Sequence, residues 1–455
     1  MKIKLGIAIV MAVMIAVGFG SVAYAFHDGG VAYCEGCHTM HNSLGNAKMT
    51  VNNIPQFTGN TYLLKGSDQS STCLNCHQAA AGGYHISDTG TISSTSVPYQ
   101  YTPGGDFTWL KISTTAKASY GASISNPGNK HGHNIQAADF NYTDVANLAT
   151  SPGGTYAAAN LACSSCHDPH GRYRINNAYT IVGPSTPGTQ VPPIVGSGSY
   201  FTSDDPGTLT AGNGGVGEAV GVYRLLAGTG YLPDSYPGGP AFTTNAPFAM
   251  APSNYNHAES DNGASQTLVA YGSGMSEWCA NCHAQIHNDS YPANLIHPAG
   301  NAAIVPANIV ANYNSYLYSG NMTGTATSAY MTLTPFERGE TLSSTGWSAL
   351  KALGPNGTLA GMGQAGEASD NVSCLSCHRA HASAWPQMTR FNKDSEFTTV
   401  AGAYPGTDAA TAEGSAGQYS LGYSQAQYQA GMNGRPATLW ATYQRVLCNK
   451  CHAKD

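Results

Sequence analysis

Charge is scarce in this chain. Lys, Arg, Asp and Glu make up 10% of its 455 residues, and the formal net charge is −6. The 19 basic residues are scattered, so no basic face is offered to nucleic acid. So little charge also argues against charge-driven disorder. No apolar run after Val22 approaches the length of a membrane span. Cysteine is absent outside one recurring motif, which leaves none for a disulfide framework.

The one long apolar run lies at the start. Lys2 and Lys4 form a basic n-region, Leu5 to Val22 is apolar, and Ala23-Tyr24-Ala25 is a small-x-small cleavage site. Residues 1–25 therefore read as a signal peptide, and 26–455 as an exported mature chain.

Glycine and proline are abundant, at 54 and 24 residues. Gly costs backbone entropy in regular elements and Pro removes a donor. The predicted fold class is mostly irregular coil with short helices and little sheet, in a few two-stranded pieces. Gly/Ser/Thr/Pro-rich stretches around 87–128, 183–215, 228–265 and 399–418 read as long loops. Helices are expected over 275–286, over 306–318, where Pro306 opens an apolar periodicity, and over 438–451. No domain boundary is visible, so 26–455 reads as one elongated unit.

All 12 cysteines fall in six C-x-x-C-H motifs: Cys34/Cys37/His38, Cys73/Cys76/His77, Cys163/Cys166/His167, Cys279/Cys282/His283, Cys374/Cys377/His378 and Cys448/Cys451/His452. This is the attachment signature of c-type haem. Two thiols three positions apart add to the two vinyl groups of one porphyrin, and the next His becomes the proximal iron ligand. Disulfides give no reason for the His, and a zinc site needs a second His pair at finger spacing. A redox dithiol occurs once per domain, not six times. The chain is thus expected to carry six haems c, with porphyrins standing in for a helix-and-sheet core.

Of 16 histidines, ten remain after the six proximal ones. His or Met can fill the second axial site. His41, His170 and His381 each follow a proximal His by three residues. They cannot reach the opposite face of that same iron, so each is expected to serve another haem. His287 follows His283 by four. His133 and His297 lie in turn-prone loops, His85 follows the second motif by eight residues, and His27 is second in the mature chain. These eight are candidates for six distal places. His131 and His257 have only loop context and read as surface residues. Methionine shows no fixed offset from the motifs and reads as packing, as do the 27 tyrosines.

The segments Phe26–Gly30, Cys34–Asn42, Cys163–Gly171, Met275–His283, His297–Gly300, Cys374–Ala382 and Cys448–Asp455 together resemble the OmcS-type outer-surface hexahaem cytochromes of metal-reducing bacteria. That resemblance runs from Phe26 to Asp455 and is weaker in the Gly-rich stretches. It implies subunits that polymerise into conductive filaments, with haems stacked in alternating parallel and perpendicular pairs. It also implies that His41 ligates a haem of the adjacent subunit, the one attached at the fifth motif. His131 and His257 have no counterpart in it.

The expected function is extracellular long-range electron transfer through six bis-His haems, not catalysis. Redox partner proteins and extracellular acceptors such as metal oxides would complete the path. The alternatives are a multihaem reductase with an open iron, or a monomeric periplasmic shuttle. Reductases of that kind commonly carry a variant motif, whereas all six here end in His.

Overall fold

The computed structural model describes residues 34–39, 43–44, 47–48, 63–78, 86–88, 102–117, 121–143, 148–183, 194–197, 205–208, 219–250, 269–286, 299–315, 335–353 and 370–451. Most of this chain is coil, with short helices and little sheet, as expected. Among the described residues no strand exceeds four residues. Two sheets are larger than the two-stranded pieces expected. One orders Asn371–Val372, Phe336–Glu337, Ala270–Tyr271 and Ala249–Met250; the other orders Ile181–Val182, Arg174–Asn176, Ala219–Gly221 and Ile194–Ser197. Each contains one parallel pair, which joins segments far apart in sequence. The stretch around 87–128, expected as loop, carries the antiparallel pair Thr114–Lys117 and Ser123–Asn126.

The six motifs each sit on one or two helical turns. These are Cys34–Cys37, Gln69–His77, Met275–His283 and Cys374–Cys377 as α-helix, and Cys163–Ser165 and Leu447–Lys450 as 3₁₀ turns. The expected helix after Pro306 runs Ala307–Ser315. The expected helix over 438–451 does not form. Two separate 3₁₀ turns, Ala437–Leu439 and Leu447–Lys450, replace it. The reason lies in where the intervening backbone bonds go. Val446 N–H donates to the Glu396 carbonyl (3.1 Å), Gln444 N–H to Thr399 Oγ1 (3.0 Å), and Arg445 bridges to Phe397. Tertiary partners have taken the groups that a helix would use.

A side-chain core exists, which corrects the expectation that porphyrins alone supply one. One cluster gathers Tyr173, Tyr231, Phe242, Phe248, Tyr271, Trp347 and their neighbours from the middle of the chain. A second joins residues from both ends: Leu74, Phe107, Trp109, Trp385, Tyr423, Tyr428 and Trp440. A third packs Tyr313 edge-on against Phe336 at 5.2 Å, with Val305 beside them. Buried tyrosines keep their hydroxyls paired: Tyr423 donates to the Ala384 carbonyl (2.9 Å) and Tyr231 to the Ser164 carbonyl (2.6 Å). That is packing with a satisfied polar tip.

Coil leaves carbonyls without ladder partners, and buried arginines serve them. Arg379 is 2% exposed and its Nη1 donates to the Thr102 and Pro103 carbonyls. Arg390 Nε reaches the Leu375 and His378 carbonyls. Arg379 directly follows the fifth motif, and Arg390 binds carbonyls of that motif. The loop bearing His381 is pinned by close backbone approach at Gly105, whose φ is +85° and whose added Cβ would lie 1.8 Å from the Ala382 carbonyl oxygen. Gly105→Ala is expected to cost at least about 2 kcal/mol, because the left-handed conformation alone costs a non-glycine residue roughly 1–2 kcal/mol and the clash adds to it. Chemical denaturation of the haem-loaded protein measures this.

Candidate haem-binding sites

Two of the motif helices are capped by acids at their N-termini. Asp68 caps Gln69–His77, accepting Ser71 N–H at 2.7 Å. Glu337 Oε1 accepts the Met275 and Ser276 N–H groups at 3.1 and 3.2 Å. These are the orphan donors of a helix start, where a carboxylate is favoured. Glu337 is fully buried with Glu277 nearby. Burial and that like charge push its carboxyl up to about 8.

The motifs follow one another in space in sequence order. Cys73 lies beside Cys37 and Cys163. Cys166 neighbours Cys282, Cys279 neighbours Cys374, and Cys377 neighbours Cys448 and Cys451.

Gln69–His77 buries Ser70, Ser71, Thr72 and Leu74. At about 100° per residue, Cys73 and Cys76 lie about 60° apart on one face of this helix, as two thiols bound to a single porphyrin require.

Three histidine pairs face one another across gaps. His38 and His170 have ring centres 6.4 Å apart with planes 10° from parallel. His133 and His283 are 6.2 Å apart at 29°. His167 and His381 are 6.4 Å apart at 57°. Contacting ring faces would stand at about 3.5–4.0 Å, so these rings do not touch. A bond of about 2.0 Å from imidazole nitrogen to a first-row metal, with the ring centre roughly 1.1 Å behind the nitrogen, places two trans imidazoles about 6.3 Å apart. Each gap therefore has the width of one iron. Among the described residues no three His, Cys, Asp or Glu side chains converge on a point. Two ligands per gap suit a metal that brings its other donors in a planar ring.

The outer nitrogens of these rings are held by backbone. His167 Nδ1 pairs with the Arg224 carbonyl (2.7 Å), His283 Nδ1 with Pro152 (2.8 Å), His378 Nδ1 with Gln387 (2.8 Å) and His133 Nδ1 with Ala380 (2.7 Å). His381 Nδ1 lies 3.2 Å from the Gly105 carbonyl. A Nδ1–H held in this way leaves Nε2 as the free donor, the usual outer-shell arrangement of a ligating histidine. Burial pushes His133 down to about 4 and His381 to about 3, so both are neutral at ordinary pH, as ligation requires. His170 is positioned by the buried Asp168, which accepts the His170 and Arg172 backbone N–H groups at 3.2 and 2.8 Å.

The first, third and fifth motifs share a backbone strap. Thr39, Asp168 and Arg379 N–H donate to the Leu63, Leu225 and Met388 carbonyls, while Lys65, Ala227 and Arg390 N–H return to Cys37, Cys166 and Cys377. Leu63, Arg224, Leu225, Gln387 and Met388 all adopt positive φ. Sequence reasoning missed the strap because carbonyls of unrelated side chains build it. Asp168, Ser70 and Ser276 were missed as well, although each stands within three residues of a motif.

His131 is buried, not on the surface. It is 0% exposed, and both ring nitrogens are spent, on the Trp109 carbonyl (2.9 Å) and Asn126 Oδ1 (2.8 Å). His27, His41, His85, His257, His287, His297 and His452 lie outside the described residues. So does the side chain of Cys34.

Repeated C-x-x-C-H turns and facing histidines define a multihaem c-type cytochrome, an electron-transfer protein. The chain is 49% identical over 464 aligned residues to the C-type cytochrome OmcS of Geobacter sulfurreducens, spanning 100% of this chain and 99% of that one. Two solved structures match with a TM-score of 0.79 and 48% identity, covering 94% of this chain and 100% of theirs. One is a cryo-EM structure of OmcS nanowires and the other an Outer Membrane Cytochrome S filament, both from Geobacter sulfurreducens. No family model matches the chain. The chain belongs to the OmcS family of c-type cytochromes. No helix among its described residues is long and apolar enough to cross a membrane.

Glu337 gives this region a pH signature. Its carboxyl binds a proton more tightly in the folded chain (about 8, against 4.5 ordinarily), so its contribution to stability is fully present below 4.5 and is lost as pH rises towards 8. Glu337→Gln is expected to flatten that decline. Unfolding midpoints of the haem-loaded variant and parent at pH 5 and pH 8 test it: parallel shifts in the two proteins refute the assignment.

Proposed function

We propose that the chain is exported after loss of residues 1–25 and that 26–455 forms a single hexahaem unit. It carries electrons over long distances outside the cell as one subunit of a filament. The observation that carries this reading is the set of three histidine pairs, each one iron wide and each joining segments remote in sequence. The twelve motif cysteines hold six haems c. His38, His77, His167, His283, His378 and His452 are the proximal ligands. His170 closes the first iron, His381 the third and His133 the fourth. The second, fifth and sixth irons draw on His41, His85, His287, His297 and His27.

Bound haem supplies a one-electron couple at each site. The chain's residues do the rest. Paired imidazoles leave no place for a small substrate on the irons they close. The carbonyl-held Nδ1 groups fix ring orientation and strengthen the ligands. The cysteines, adjacent in sequence order from Cys37 to Cys451, lay the sites out as one path. Self-association extends that path, with His41 ligating the fifth-motif haem of the adjacent subunit. The family resemblance and the filament structures of the relatives support this. Redox partner proteins and extracellular acceptors such as metal oxides stand at its ends.

Two substitutions separate ligation from packing. His133→Ala is expected to convert one haem of the oxidised protein to high spin, open to carbon monoxide on reduction. His131→Ala is expected to leave every haem low-spin while lowering stability by about 1–3 kcal/mol, the cost of unpaired buried groups. A low-spin His133→Ala protein, or a high-spin haem in the parent, overturns the ligation scheme. For assembly, His41→Ala should shorten or abolish filaments in electron micrographs and add one high-spin haem per subunit. Normal filaments with unchanged spectra would remove His41 from the interface.

A further inference from the structure

Two of the five junctions between successive motifs carry the same hydrogen bond. Ser70 stands three residues before Cys73, and its Oγ accepts the N–H of Cys163 at 3.1 Å. Ser276 stands three residues before Cys279, and its Oγ accepts the N–H of Cys374 at 3.1 Å. Both serines are 0% exposed. Both sit on nine-residue helices that end at a motif histidine, Gln69–His77 and Met275–His283. In both cases the cysteines of the two motifs are neighbours, Cys73 with Cys163 and Cys279 with Cys374.

The receiving motifs match one another too. Each is a C-x-S-C-H turn whose own serine accepts the N–H preceding the first cysteine: Ser165 from Ala162 at 2.9 Å and Ser376 from Ser373 at 3.1 Å. The next N–H, on the first cysteine, opens the turn and has no acceptor within it. A buried donor in that position needs a partner. In both junctions the hydroxyl of the preceding motif's helix provides it.

We infer that Ser70 and Ser276 are positioning residues that set the mutual placement of the second and third haem sites and of the fourth and fifth. The bond ends on the residue that carries the thioether, so it fixes one attachment point relative to the helix bearing the other. A shift there moves one porphyrin against its neighbour. The inference rests on the haem reading above and concerns the coupling between sites, not their occupancy.

The test uses the haem-loaded protein. Haem content is counted first; fewer than six in the parent overturns the haem reading and leaves this one aside. Soret circular dichroism then reads porphyrin–porphyrin coupling. Ser70→Ala and Ser276→Ala are each expected to lose part of the bisignate Soret signal with six haems retained and the spectrum low-spin. The two losses should add in the double variant, since the junctions are separate. Ser420→Ala, which removes an equally buried hydroxyl outside every motif, is expected to keep the parent signal. Unchanged coupling in both variants, or an equal loss in Ser420→Ala, overturns the inference. Hydrogen exchange on the parent decides the matter if the alanine variants load fewer haems. The Cys163 and Cys374 amides should be protected although they open their turns, and rapid exchange at both overturns the inference.

Discussion

The structure depends on imidazole rings held apart. In each pair the two rings come from different motifs or loops: His38 with His170, His133 with His283, His167 with His381. Between 132 and 214 residues of sequence are closed into loops by each such gap. Closing loops of this length costs conformational entropy, though slowly with length. A chain with this much Gly and Pro gains little from local structure to offset it. Metal–ligand bonds contribute folding free energy directly. The irregular backbone is therefore consistent with a fold whose long-range constraints come from axial ligation and covalent attachment.

The polypeptide still builds an interior of its own. Aromatic clusters sit beneath the motif turns, and one draws on both ends of the described chain. Buried arginines bind the carbonyls that coil leaves unpaired, notably Arg379, directly after the fifth motif, and Arg390, which binds carbonyls of that motif. This explains a use for the few charges the sequence has. They brace backbone where other proteins would use a ladder.

Much of the site was legible in the sequence, and the limits have physical reasons. The motif cysteines announced haem because thioether chemistry demands that spacing. The histidines three residues past a motif were expected to serve another haem, and His170 and His381 stand opposite His38 and His167 rather than the motif histidines beside them in sequence. His131 and His133 could not be separated by sequence context, since both lie in one short loop. Only the partners of their ring nitrogens tell them apart. The carbonyl straps at Arg224 and Gln387 were invisible because any side chain can stand above a carbonyl. The failed helix at 438–451 shows a local periodicity overruled by tertiary hydrogen bonds.

The pairing also sets a schedule. A chain threaded out of the cell from its N-terminus delivers His38 long before His170, and His167 long before His381. Of the three partner rings outside the motifs, His133 alone emerges ahead of the motif ring it faces. On the proposed ligation, the first and third attachment points wait, with one face uncovered, for later segments to arrive. Maturation would then not be completed motif by motif, and the unfinished intermediates would be the forms most exposed to stray ligands.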